Sequence, residues 1–109
     1  MAVRRGEIWT VSGGGYAGKP RPAVIVRSDR FDDLASITLV PCTTDPSEAL
    51  LMRLSLTPSP GNGLRTACRA MIDKITTVPR ANLGTRIGAL AEEDMLRLNR
   101  ALVLFLGIG

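Results

Sequence analysis

Apolar and polar positions alternate in short bursts along most of the chain and change to a helical period only near its end. Ile8 to Val11 is a β-prone run closed by Ser12 and the glycines at 13 to 15, so a strand should enter a glycine-rich loop there. Ala23 to Val26 is a continuous apolar run of the kind a buried strand presents, which puts Arg21 at a strand mouth. Ser28 to Leu34 is polar around Phe31. Ser36 to Val40 resumes β-branched character before Pro41, so a third strand should end in Pro41, Cys42, Thr43, Thr44 and Asp45. Asp45 to Ala49 reads as a turn and Leu50 to Leu56 as a strand. Thr57 to Gly63, with its prolines and glycines, reads as a tight connection. Thr66 to Asp73 followed by Ile75 to Val78 fits one more strand or two short ones. Ile87, Gly88 and Leu90 lead into Glu92, Glu93 and Asp94, acids that suit the first turn of a helix. Met95, Leu98, Leu102 and Phe105 then recur at helical spacing as its core stripe, and Gly107 ends it.

Turn signals this closely spaced leave no room for crossover helices, so the sheet should be mainly antiparallel. The expected architecture is mainly β, a small curled antiparallel β-barrel with one C-terminal helix. The chain has 109 residues, 45% apolar and 22% charged, the composition of a globular fold, and residues 1–109 are expected to form one domain. No long apolar segment suggests a membrane span and no secretory leader is evident, so a cytoplasmic protein is expected.

Histidine is absent, which removes the Ser-His-Asp triad, the Cys-His pair and the two-histidine ribonuclease as mechanisms. With Cys42 and Cys68 as the only cysteines, a zinc site would need carboxylates for half its ligands, so neither a metal nor another cofactor is expected. One disulfide is conceivable, but two reduced, buried thiols are the expectation.

The net charge is +4, and twelve of the fourteen basic residues are arginine, a bias suited to bidentate recognition of phosphate. Residues 1–30 carry six basic and two acidic side chains, while residues 31–60 carry one and four. A pI near 9.8 makes nucleic acid the leading partner class. Most arginines, such as Arg97 and Arg100 on the helix, read as solvated surface charges. Three clusters at strand ends are different: Lys19 with Arg21, Thr43 with Thr44, and Asp73 with Lys74. Brought together, they would make a phosphate-sized site in which a guanidinium answers the charge of a pentacoordinate transition state. On spacing alone, Thr43 and Thr44 fit a local turn and Asp73 fits an ion pair with an arginine.

Four blocks occur in series: Arg5-Gly6-Glu7-Ile8-Trp9, Gly18-Lys19-Pro20-Arg21-Pro22-Ala23-Val24-Ile25-Val26, Val40-Pro41-Cys42-Thr43-Thr44 and Asp73-Lys74-Ile75-Thr76-Thr77-Val78. Their order and spacing, over nearly the whole chain, resemble those of the MazF/PemK toxin family. The resemblance implies an SH3-like or CcdB-like β-barrel and a homodimer. It also implies a metal-independent endoribonuclease that cuts single-stranded RNA sequence-selectively, as the toxin of a type II toxin-antitoxin pair. In that family the ribose 2′-hydroxyl attacks internally, leaving a 2′,3′-cyclic phosphate and a 5′-hydroxyl. Carried over by motif, Arg21 would stabilise the phosphorane and Thr43 would orient the phosphate. Lys19, Thr44, Asp73, Lys74 and Tyr16 would bind RNA. Guanidinium groups hold their proton too tightly to serve as a general base, so the base is not assigned by these residues.

Two departures from the family pattern matter. Tyr16 and Ala17 stand where many relatives place an acidic Glu-Gln pair, and Tyr16 would instead stack on a base. Asp73-Lys74 replaces another frequent Glu-Gln pair. Two other classes share this barrel: a gyrase inhibitor of the CcdB kind and a non-catalytic RNA-binding module. The chain ends Leu106-Gly107-Ile108-Gly109, without the terminal Trp-Gly-Ile that gyrase binding needs. The basic balance suits an acidic cognate antitoxin, for which the apolar side chains of the terminal helix would help to form a groove or dimer surface.

Overall fold

The computed structural model describes residues 2–13, 19–45 and 52–109. Its strands are β1 (Glu7–Val11), β2 (Arg21–Ile25), β3 (Ser36–Thr43), β4 (Arg53–Leu56), β5 (Cys68–Met71), β6 (Thr76–Pro79) and β7 (Leu83–Ala89), followed by helix α1 (Glu92–Leu106). Every pairing is antiparallel, in the order β4-β5-β3-β2-β1-β7 with β6 also on β3. The mainly β architecture with a terminal helix is the one the pattern predicts. Closure is not reached: among the described residues β4 and β7 stay unpaired with each other, so the curled sheet is open rather than a complete barrel.

β3 organises the sheet. One edge pairs with β2 through Leu39, Val40 and Pro41. The other pairs first with β6, from Ser36 to Leu39, and then with β5 at Cys42 and Thr43. The strand thus runs through Pro41 and ends at Thr43, within the segment where the sequence puts its end. Pro41 falls between the stretch facing β6 and the stretch facing β5, a place where a missing N–H interrupts no ladder on that edge. The segment after Ala67 resolves into two short strands, β5 and β6, joined by a 3-10 turn over Ile72–Lys74.

Alternation sends the sheet's side chains to two cores. Ile8, Val24, Val40, Cys42, Leu56 and Ile72 meet Leu98 and Leu102 of α1 on one face. Trp9, Val11, Ala23, Ile25, Ile37 and Leu39 form a second cluster with Val3 on the other. Burial on both faces explains the unbroken apolar run of β2. β7 is the strand the sequence conceals: its two glycines weaken the β signal, and its pairing with β1 is irregular. Gly88 is required there because an added Cβ would lie 2.3 Å from the Asn62 backbone. Helix α1 stops at Gly107, which takes the left-handed conformation (φ 71°) while its amide donates to the Val103 carbonyl. Phe105, expected on the core stripe, is 42% exposed, because the last turn leaves the core that Leu98 and Leu102 enter.

Candidate active site

A cleft of about 860 Å³ opens beside β3, where its outer edge passes from β6 to β5, and both neighbours contribute to its walls. Arg21 enters from the first position of β2, as its place before the apolar run requires. Thr43 and Thr44 come from the end of β3, Lys74 from the end of the 3-10 turn, and Thr76 and Thr77 from β6. The structure therefore brings Arg21, Thr43, Thr44 and Lys74 to one cavity, although they are up to 53 positions apart in sequence.

The Arg21 side chain is exposed and makes no hydrogen bond or ion pair with any described residue; the same is true of the Lys74 side chain. Both positive charges are thus available to an anion. Thr43 is held differently. Its Oγ1 accepts a hydrogen bond from the Asp45 amide at 3.1 Å, the local turn its type favours, which orients the hydroxyl while leaving its proton free to donate. Lys19 is exposed two residues before Arg21 but is not among the residues that line the cleft. Asp73 does not line it either: its Oδ2 lies 3.4 Å from Nη2 of Arg53, the ion pair that its spacing allowed. Tyr16 lies outside the described residues.

Arg53, Thr76, Thr77 and Asn82 also line the cleft and were not singled out by sequence. For Arg53 a signal existed, since it is the one basic residue between positions 31 and 60 and interrupts an apolar stretch. Its side chain is only 2% exposed, a buried cation set into the cleft wall. Asn82 ends a 3-10 turn, Arg80–Asn82, that no local pattern announces.

Cys42 forms part of the cleft lining while being almost wholly buried, and both cysteines are free. Its hydrogen bond with Cys68, together with burial, pushes the Cys42 thiol well above its ordinary value of 9.0, so it stays protonated. It is a wall of the site, without thiolate character.

The fold is an open antiparallel sheet with one helix, and beside it lies a cleft with two cations unpaired among the described residues and an oriented threonine hydroxyl, an arrangement suited to an anion. Residues 4–106 match the family described as PemK-like, MazF-like toxin of type II toxin-antitoxin system, and the chain belongs to that family. It is 53% identical over 107 residues to the probable endoribonuclease MazF of Mycolicibacterium smegmatis, covering 97% of this chain and 98% of that one. Endoribonuclease MazF9 of Mycobacterium tuberculosis is 31% identical over 116 residues, again covering 97% and 98%. A solved mycobacterial endoribonuclease in complex with its cognate antitoxin superposes with a TM-score of 0.80 at 26% identity, covering 99% and 98% of the two chains. MazF from a MazE-MazF complex of Deinococcus radiodurans shares the fold at a TM-score of 0.80 and 12% identity, covering 100% and 99%.

Proposed function

We propose that the cleft beside β3 is where this toxin binds single-stranded RNA and cuts it, with Arg21 and Thr43 as the catalytic pair. The chain is a MazF-like endoribonuclease of a toxin-antitoxin system. The observation that carries the site assignment is the meeting, in one cavity, of an Arg21 guanidinium that has no partner among the described residues and a Thr43 hydroxyl oriented by the Asp45 amide.

In the proposed reaction the 2′-oxygen forms a bond to phosphorus as the bond from phosphorus to the 5′-oxygen breaks. The 2′-hydroxyl loses its proton and the 5′-oxygen gains one, giving a 2′,3′-cyclic phosphate and a 5′-hydroxyl end without a metal ion. Thr43 donates its hydroxyl proton to a non-bridging oxygen and holds the phosphate in line. Arg21 meets the charge that accumulates on those oxygens, an interaction stronger in the transition state than in the ground state. Thr44, Lys74 and Lys19 bind the flanking backbone, and Tyr16 stacks on a base. Asp73 belongs to this set through the turn that carries Lys74. Residues 1–109 act as one toxin domain in the cytoplasm, and no helix among the described residues is long and apolar enough to cross a membrane.

The decisive assay cleaves a long unstructured RNA in the presence of chelator and maps the new ends. Arg21→Ala should lower the rate by about 100- to 1,000-fold, the scale of removing one transition-state donor. Undiminished cleavage by Arg21→Ala would remove the cleft from the mechanism, and RNA bound but left intact by the wild type would mean a non-catalytic module. We further assign a homodimer and an acidic antitoxin as partners. Leu96, Val103, Leu104, Phe105, Leu106 and Ile108 are exposed along and just after α1, apolar side chains of the kind that partners cover. Calorimetric titration with the acidic antitoxin peptide checks this, and a flat titration refutes it.

A further inference from the structure

Arg53 lies on β4, outside the four sequence blocks, and yet its buried guanidinium reaches the cleft wall. What it faces there is Asp73, the middle residue of the 3-10 turn Ile72–Lys74. That turn has no side-chain cap. A single 3-10 turn has poor hydrogen-bond geometry and holds its last residue loosely unless it is tied down from outside.

Met52, just before β4, and Arg53, its first residue, do the tying. The Met52 carbonyl accepts the Ile72 amide at 2.9 Å, and Arg53 Nη2 meets Asp73 Oδ2 at 3.4 Å. The turn is therefore gripped at its first residue by backbone and at its second by charge. Its third residue is Lys74, which lines the cleft with no carboxylate partner among the described residues. Asp73 has no other partner among those residues, and its Oδ1 is buried without a hydrogen bond. Loss of Arg53 would leave a half-buried carboxylate unanswered, and the turn would have to shift to hydrate it.

We propose that Arg53 is a positioning residue for RNA binding, acting through Asp73 to hold the turn that presents Lys74 to the RNA backbone. This rests on the cleft being the RNA site. Asp73 is then an anchor behind the binding surface, and Lys74 is the group that touches phosphate.

The test measures binding of single-stranded 2′-O-methyl RNA, which cannot be cleaved because it lacks the attacking hydroxyl, across a range of salt concentrations. Lys74→Ala should lower the slope of log affinity against log salt by about 0.7, the value for one phosphate contact on a single strand. Arg53→Ala should produce the same loss. Because that variant leaves a charge unpaired and can fail to fold, the paired replacement Arg53→Met with Asp73→Leu is made beside it, exchanging the ion pair for apolar groups of similar size. The paired variant should melt like the wild type, lose the same 0.7 or so of slope, and raise KM for cleavable RNA with kcat little changed. Adding Lys74→Ala to it should change binding no further. A folded paired variant with wild-type affinity and slope overturns the proposal, as does an additive loss with Lys74→Ala. If Arg21→Ala abolishes cleavage in either of those cases, only the role of Arg53 is lost. If Arg21→Ala cuts normally, the RNA site itself is wrong and this inference goes with it.

Discussion

Two arginine-bearing regions of this molecule, made of the same residue type, are put to opposite uses. At the cleft, the Arg21 side chain stands exposed with no partner among the described residues. At the region joining the end of β2 to the segment before β3, Arg27 is buried and spends its donors on the protein. Its Nη2 meets the Val3 carbonyl at 2.7 Å and Asp32 Oδ1, and its Nη1 lies 3.5 Å from Asp29. Arg80 joins the same carboxylate at 3.0 Å and the Asp32 carbonyl at 2.7 Å. The difference is the placement of carboxylates. Where Asp29 and Asp32 sit opposite, arginine becomes a structural tie; at the cleft Asp45 shares the lining with Arg21, but no carboxylate of the described residues pairs with it. Arg53 lies between these cases, buried and paired like Arg27 but set into the cleft wall like Arg21.

The largest effect should come from separating the two uses directly. Arg21→Ala, with its two to three orders of magnitude lost in cleavage, should leave unfolding free energy within about 0.5 kcal/mol of wild type, as for other exposed positions; a marked stability loss in denaturant melts would merge the two regions. Arg27→Ala should do the reverse, lowering stability by about 3 kcal/mol because buried acceptors and a carboxylate lose their partner. The cleavage rate per folded molecule should hold, and a fall in that rate would show the regions to be coupled.

A smaller effect is expected for Asp32→Asn, read against pH. The hydrogen bond from Arg80 chiefly holds the Asp32 carboxyl below its ordinary value of 3.8; burial opposes this, and the Val3 amide and the charges of Arg80 and Arg27 add to it. A carboxyl lowered on folding stabilises the protein above its ordinary value, and that stability disappears as pH falls through the lower, folded one. Asp32→Asn should therefore be less stable than wild type at neutral pH, and the gap should narrow below about pH 3.8 in thermal melts. A gap independent of pH would deny Asp32 its role. The smallest effect belongs to a third kind of arginine. Arg97 pairs with Asp94 at 2.9 Å on the exposed side of α1, and Arg97→Ala should change stability by less than about 0.5 kcal/mol.

Much of this was legible beforehand where the signal is local. The apolar run of β2, the β-branched run of β3 and the acids and glycine that bracket α1 each report on their own backbone, and those elements form where the pattern puts them. β7 was not legible because Gly84 and Gly88 answer to neighbours rather than to strand preference; at Gly88 the neighbour is the Asn62 backbone. β3 ends at Thr43, inside the Pro41 to Asp45 segment where the pattern ends it, and which strands flank Pro41 explains why the proline is tolerated there. At the site, Arg21, Thr43, Thr44 and Lys74 were recognisable from the order of their blocks, whereas Arg53 belongs to no block.

The sequence by itself determined the family, the short antiparallel strands, the single terminal helix and the exclusion of imidazole chemistry, because each of these follows from residue type and spacing along one stretch of chain. Only the tertiary structure decided which arginines are free and which are tied, that the curled sheet stays open, and that β4 reaches across to hold the turn before β6. Those outcomes depend on which carboxylate or backbone group arrives opposite a side chain from a distant part of the chain, and a one-dimensional pattern does not record that distance.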